Sequence, residues 1–211
     1  MKSRKLFKVC ALLMLAVMSC LLFSGCGGQS EQKKFVITYL PNESTDKNAD
    51  ARKGMAGDLS KVLGMEVTEL VSNDYNAVIE AMRTGKADMA YFGPLSFCLA
   101  YERAGAEPIG MIAKDKDKKN ATYKSVLVTS SKNTDINSIQ DIKGKTMAFV
   151  DPNSTSGNLI PSAAIMKAFP GEKLSMDDLH TNGKFFQAVS FSGKHQAGLA
   201  LSLIHISEPT R

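Results

Sequence analysis

The sequence predicts an α/β protein: a first lobe built on a largely parallel sheet, then a second α/β lobe that starts and does not finish. Three observations carry this. From residue 35 onward short apolar, strand-like runs alternate with amphipathic helical runs. Glycine or proline punctuates most of the junctions. A charge-rich, weakly hydrophobic break, Lys114 to Asn120 (KDKDKKN), divides the pattern in two.

Phe35 to Leu40 (FVITYL) reads as a buried strand, stopped by Pro41 and a polar loop. Ala49 to Leu63 places Met55, Leu59 and Val62 at helical spacing, with Gly64 as the stop. Met65 to Val71 returns as a strand. Asp74 is an expected N-cap for a helix that carries Tyr75, Val78, Ile79 and Met82 on one face and closes at Gly85. Ala87 to Phe92 is strand-like. Gly93-Pro94 opens a helix to Ala104, with proline where its missing donor costs nothing. Ile109 to Ala113 and Tyr123 to Ser130 are further expected strands, and Ile136 to Ile142 a short helical turn. Thr146 to Val150 is a strand, Asp151 to Ser156 a turn-rich loop, and Gly157 to Phe169 a helix ended by Pro170. Phe185 to Phe191 is expected as a strand, and a helix should begin near Lys194.

The first 25 residues are an address. Lys2, Arg4, Lys5 and Lys8 form a basic start, and Val9 to Phe23 is an apolar core too short for a comfortable membrane span. Ser24 and Gly25 stand directly before Cys26, a pattern that resembles the lipobox of bacterial lipoproteins, in which that cysteine is acylated. Residues 26–34 then read as a small, polar tether between lipid and domain. The chain is formally +5 and the leader holds four basic and no acidic side chains, so the remainder is +1. No dense basic stripe is left for nucleic acid. Cys10 and Cys20 leave with the leader and Cys26 is consumed by lipid, which leaves Cys98 as an expected core residue and excludes a cysteine metal site or disulfide framework.

Two loops carry chemistry. In Asp151-Pro-Asn-Ser-Thr-Ser-Gly157, three consecutive hydroxyl residues and a glycine sit between a strand and the first turn of a helix. Such a turn has spare backbone donors and a partial positive potential, so it suits an oxyanion, although one hydroxyl would suffice as an ordinary cap. The second loop is Phe191-Ser-Gly-Lys-His195, whose histidine opens a helix. Gly144-Lys145-Thr146 is no phosphate-binding P-loop, because Ile139 stands where the motif needs glycine. Ser156 is in no nucleophile elbow, because Ser154 stands where that motif needs glycine.

Several runs together resemble the phosphonate-, phosphite- and phosphate-binding proteins of bacterial ABC importers. They are Asp74-Tyr-Asn-Ala-Val-Ile-Glu-Ala-Met-Arg-Thr-Gly-Lys-Ala-Asp88, Tyr91-Phe-Gly-Pro-Leu-Ser96, Asp141-Ile-Lys-Gly-Lys145, Ala148-Phe-Val-Asp-Pro-Asn-Ser-Thr-Ser-Gly157 and Val189-Ser-Phe-Ser-Gly-Lys-His195. The resemblance implies a type II periplasmic-binding-protein fold, with a first lobe of about residues 35–124 and a partial second lobe of about 125–201 closing on ligand between them. It implies that Ser154, Thr155, Ser156 and His195 contact a phosphorus oxyanion, that Tyr75 and Tyr91 approach it from the first lobe, and that no cofactor or metal is required. The partners implied are an ABC permease and ATPase, with the membrane reached through lipid on Cys26, on the outer face of the cell membrane. Two rivals are the same fold holding another small anion such as a sulfonate, and a secreted hydrolase using Ser154 or Ser156 with His195. Members of the family continue past the histidine helix, whereas Ser202 to Arg211 matches nothing expected there and reads as a non-native tail.

Overall fold

The computed structural model describes residues 33–42, 46–113 and 115–204. The leader, Cys26, the tether up to residue 32 and residues 205–211 lie outside the described residues.

The first lobe runs β1 (Phe35–Tyr39), α1 (Ala49–Leu63), β2 (Val67–Leu70), α2 (Tyr75–Arg83), β3 (Met89–Tyr91) and α3 (Pro94–Ala104). Its three strands are parallel in the order β2-β1-β3. The helices divide between the two faces of the sheet. Tyr39 turns toward α1, where its hydroxyl donates to Met55 Sδ at 3.6 Å and Arg52 lies over its ring. Leu40 turns the other way and joins Tyr75 and Val78 of α2, while Ile79 of α2 packs with Ala100 of α3. Asp74 caps α2 as its sequence predicts, accepting the Ala77 N–H at 2.7 Å.

The second lobe holds β4 (Thr146–Phe149), α4 (Ile160–Ala168), α5 (Met176–His180), β5 (Ala188–Phe191) and α6 (His195–Ile204), with β4 and β5 parallel. Its core is Phe149, Ile165, Leu179, Phe185 and Phe186. The rings meet edge-to-face, Phe149 on Phe186 and Phe185 on Phe186, the arrangement that aromatic quadrupoles favour. Val150, just past the end of β4, leaves this core and packs on Leu40, Tyr75 and Val78, tying the lobes at the base of the cleft.

Several expectations need correction. Ile109–Ala113 and Tyr123–Ser130 form no ladder with any described strand, and Ile109 and Val126 are 84% and 70% exposed. Apolar, β-branched composition sets only a preference; a strand forms where a second backbone offers donors and acceptors. Helix α1 forms over the predicted span, but Met55 and Val62 are exposed. The face turned inward is Arg52, Ala56, Leu59 and Ser60, offset around the helix from the apolar stripe. Cys98 is exposed, not core. Ser96 and Ala100 are the buried residues of α3, four apart on one face, and Cys98, midway between them, points away. The expected strand at Phe185–Phe191 begins only at Ala188, because the chain before it is held in a turn, in which the Gly183 N–H donates to the Phe186 carbonyl at 2.9 Å. Helix α5 was not expected at all. The helix expected from near Lys194 forms over His195–Ile204.

Candidate functional site

The sheet topology opens the site. Strands β1 and β3 are neighbours, yet the chain leaves β1 toward α1 on one face and β3 toward α3 on the other. In an open parallel sheet, a ligand crevice lies outside the carboxyl ends of two such strands. Pro41-Asn42 exits β1 there and Gly93-Pro94 exits β3. From the second lobe the loops after β4 and β5, Asp151–Gly157 and Ser192–His195, meet them.

The loop after β4 is built by its own short side chains. Asp151 Oδ1 accepts the Asn153 N–H at 2.8 Å, and its backbone oxygen accepts the Ser154 N–H at 2.9 Å. Ser154 Oγ then accepts the Gly157 N–H at 3.0 Å, and the Gly157 carbonyl accepts the Val150 N–H at 3.0 Å, so the loop folds back onto the strand it left. Gly157 has no alternative at this position. A Cβ on it would stand 2.3 Å from Val150 Cγ2 and 2.4 Å from Val150 Cβ. The helix begins as a wide π turn, Thr155–Leu159, before tightening into α4. The first N–H groups of such a turn find no partner within the helix, and those of Thr155 and Ser156 lie there.

A buried pair holds the loop from behind. Asn158 Nδ2 donates to the Pro152 carbonyl at 2.9 Å, and Asn158 Oδ1 lies 2.7 Å from His180 Nε2. The imidazole stacks edge-on between Phe149 and Phe191. Burial lowers its pKa, against a smaller opposing pull from Asp177. The neutral ring is therefore favoured on folding, and the stability it brings is full above about pH 6.5 and is lost as the pH falls below that. Melting temperatures measured at pH 7.5 and 5.5 are expected to drop less for His180→Gln, which keeps the donor to Asn158, than for the unmodified protein. Equal drops would rule out His180 as the titrating group.

The structure brings five of the six expected site residues together. Thr155 Oγ1 accepts the Leu95 N–H at the start of α3, 2.8 Å away across the cleft. Ser156 Oγ is 3.4 Å from His195 Nε2. Tyr75 is buried; its hydroxyl bonds to Ser154 and to Asn42 Nδ2, and burial raises its pKa. Ser154 corrects one detail of the expectation. It is 2% exposed with its oxygen engaged by Gly157, so it serves as the cap, leaving Thr155 and Ser156 as the forward hydroxyls. Tyr91 is the sixth. It pairs with Tyr39 in the ladder, and paired residues share a face, which places Tyr91 on the α1 side of the sheet and Tyr75 on the α2 side.

Three participants were not singled out from sequence, and a fourth, Asp151, stood there only as the first residue of its loop. Asn42 accepts the His195 N–H at 2.8 Å. Asp151, buried, accepts the Tyr75 N–H, and burial raises its carboxyl pKa. Ser125 Oγ donates to the Ser156 carbonyl at 2.7 Å, and two residues earlier the Tyr123 hydroxyl reaches within 3.6 Å of where a Gly93 Cβ would stand. No sequence signal marks Asn42. Tyr123 and Ser125 lie in a segment whose apolar composition suggested only a strand.

Hydroxyls, backbone N–H groups at helix starts and one imidazole are groups whose oriented donors suit an oxyanion. Among the described residues, no group of three histidine, cysteine or acidic side chains could hold a metal, and no helix is long and apolar enough to cross a membrane.

Known proteins are similar in both sequence and shape. The chain is 31% identical over 157 residues to the phosphate-import protein PhnD of Mycolicibacterium smegmatis, covering 70% of this chain and 49% of that protein. A solved binding protein component of an ABC phosphonate transporter from Pseudomonas aeruginosa superposes with a TM-score of 0.62 at 23% identity, covering 79% of this chain and 52% of that one. PhnD1 of Prochlorococcus marinus, solved in complex with methylphosphonate, gives a TM-score of 0.54 at 23% identity over 81% of this chain and 60% of that one. The chain thus spans about half the length of the relatives it matches. Residues 37–201 match the family model of the periplasmic substrate-binding proteins of phosphonate ABC transporters, and the chain belongs to that family.

Proposed function

We propose that this protein is the substrate-binding component of an ABC importer, capturing a phosphonate, phosphite or phosphate between its lobes and presenting it to a permease driven by an ATPase. The observation that carries this reading is the Thr155-Ser156 pair on the first turn of a helix, facing the start of α3 at Leu95 and the imidazole of His195. Thr155, Ser156 and His195 would hold the phosphorus oxygens. Tyr75 would bound the opposite side, and Tyr123 would sit beside Thr155. No cofactor takes part.

The substituent on phosphorus is open, and so is a sulfonate in its place. Equilibrium titration of the full chain with phosphite, methylphosphonate, aminoethylphosphonate, phosphate and a sulfonate ranks them. A phosphorus oxyanion binding at least tenfold more tightly than the sulfonate is expected; the reverse order moves the protein to the rival anion. The Ser156–His195 distance also suits a hydrolase dyad. Turnover of an ester substrate that disappears in Ser156→Ala would favour that reading, and we expect none.

Export through the general pathway and acylation of Cys26 would hold the domain at the outer face of the cell membrane. Cys26→Ala is expected to leave the protein without lipid, either as uncleaved precursor or as released material in the aqueous phase on detergent partitioning. A variant that still enters detergent with an acylated terminus contradicts the anchor.

A further inference from the structure

Helix starts at the cleft are capped from the opposite lobe. Thr155 of the second lobe accepts the Leu95 N–H of α3 at 2.8 Å, and Asp151 accepts the Tyr75 N–H of α2. In the other direction Asn42, from the loop after β1, accepts the His195 N–H of α6 at 2.8 Å. Its amide nitrogen donates to the Tyr75 hydroxyl, and its backbone oxygen lies 3.5 Å from Gln196 Nε2. The lobes thus exchange caps.

From this exchange we infer that Asn42 is the closure latch of the cleft, a positioning residue that holds α6 and His195 against the first lobe. A carboxamide suits the place because it can accept from one helix N–H and donate to a hydroxyl at the same time. Both ends of the amide are engaged by protein groups, so Asn42 acts through His195 and Tyr75. The three exchanged caps are contacts between the lobes themselves. Closure therefore carries a stabilisation of its own, to which an anion bridging the same helix starts adds. Removing one cap should leave the encounter of anion and open cleft unchanged, and should shorten the lifetime of the closed complex.

The inference rests on the phosphorus-oxyanion reading for its ligand, so its test has an arm that needs none. Small-angle X-ray scattering of the full chain without ligand compares the unmodified protein with Asn42→Ala and Asn42→Asp. Aspartate still accepts from the His195 N–H and can accept from the Tyr75 O–H, while adding a negative charge beside the anion. Asn42→Ala is expected to have a larger radius of gyration, and Asn42→Asp to match the unmodified protein. In stopped-flow displacement, Asn42→Ala is expected to release methylphosphonate about tenfold faster with an unchanged association rate, the loss of about one hydrogen bond's worth of closure. Asn42→Asp should associate more slowly, through repulsion.

An Asn42→Ala protein as compact as the unmodified one, with the same release rate, overturns the latch. So does equal opening in both variants, since the aspartate keeps the cap. Should Asn42→Ala fail to fold, Asn42→Ser, whose shorter side chain falls short of bridging both partners, takes its place under the same criteria. If the unmodified protein binds none of the phosphorus oxyanions, the functional reading fails, and the scattering comparison still decides the latch.

Discussion

Gly157→Ala is expected to disable the protein more than any other single methyl group added to it. The new Cβ would stand 2.3 Å from Val150 Cγ2 and 2.9 Å from Ser154 Oγ, whereas ordinary contact begins near 3.4 Å. The loop must retreat by on the order of 1 Å, and overpacking of this kind costs about 1–3 kcal/mol of stability. Val150 cannot give way freely, because its other side is packed on Leu40, Tyr75 and Val78 of the first lobe. The displacement therefore reaches the hydroxyls of Thr155 and Ser156 and also the base of the cleft. With two bonds to the anion misplaced, each contributing about 1.5–3 kcal/mol, affinity should fall by about a hundredfold or more. Truncating Val150 to alanine in the same chain should not restore it, since the Val150 Cβ itself is 2.4 Å away. Thermal melts and methylphosphonate titration of the single and double variants check both halves. Unmodified affinity in Gly157→Ala would show that the anion does not depend on this loop.

Thr155→Val separates binding from folding. Valine matches threonine in shape and removes the one oxygen that both accepts from the Leu95 N–H and faces the cleft. The turn that Thr155 opens keeps its cap, because Ser154 supplies it, and α3 loses only the acceptor of its Leu95 N–H. Loss of a hydrogen bond to a charged partner predicts a ten- to hundredfold weaker complex, at about 1.4 kcal/mol per decade. The melting temperature should change little. A large fall in melting temperature with unchanged affinity would make Thr155 the structural cap and leave the anion to other donors.

Local chemistry was legible in the sequence, and long-range geometry was not. Asp74 as a cap, the proline start of α3 and the hydroxyl loop before a helix all follow from residues within a few positions of one another. Helix α5 also had a readable start, since Ser175 and Asp178 form a capping box, but five residues make too short a run for periodicity to show. The strands expected at 109–113 and 123–130 were legible as preference only, because pairing depends on a backbone elsewhere. Tyr91 illustrates the same limit at the site. Its neighbourhood pointed to the cleft, while its face was settled by register with Tyr39, 52 residues away. Asn42 and His195 are 153 residues apart, and no spacing rule joins them. The demand for glycine at position 157 comes from contact with Val150 across a fold-back, not from a backbone conformation that only glycine adopts.

In the proposed complex one phosphorus oxyanion is held by the Thr155-Ser156 turn and His195 together. Calorimetric titration of methylphosphonate into the full chain and into its Thr155→Val and His195→Ala variants tests it most directly. Saturable one-site binding by the unmodified protein and at least tenfold weaker binding by each variant are expected. Binding by both variants as tight as that of the unmodified protein would contradict it.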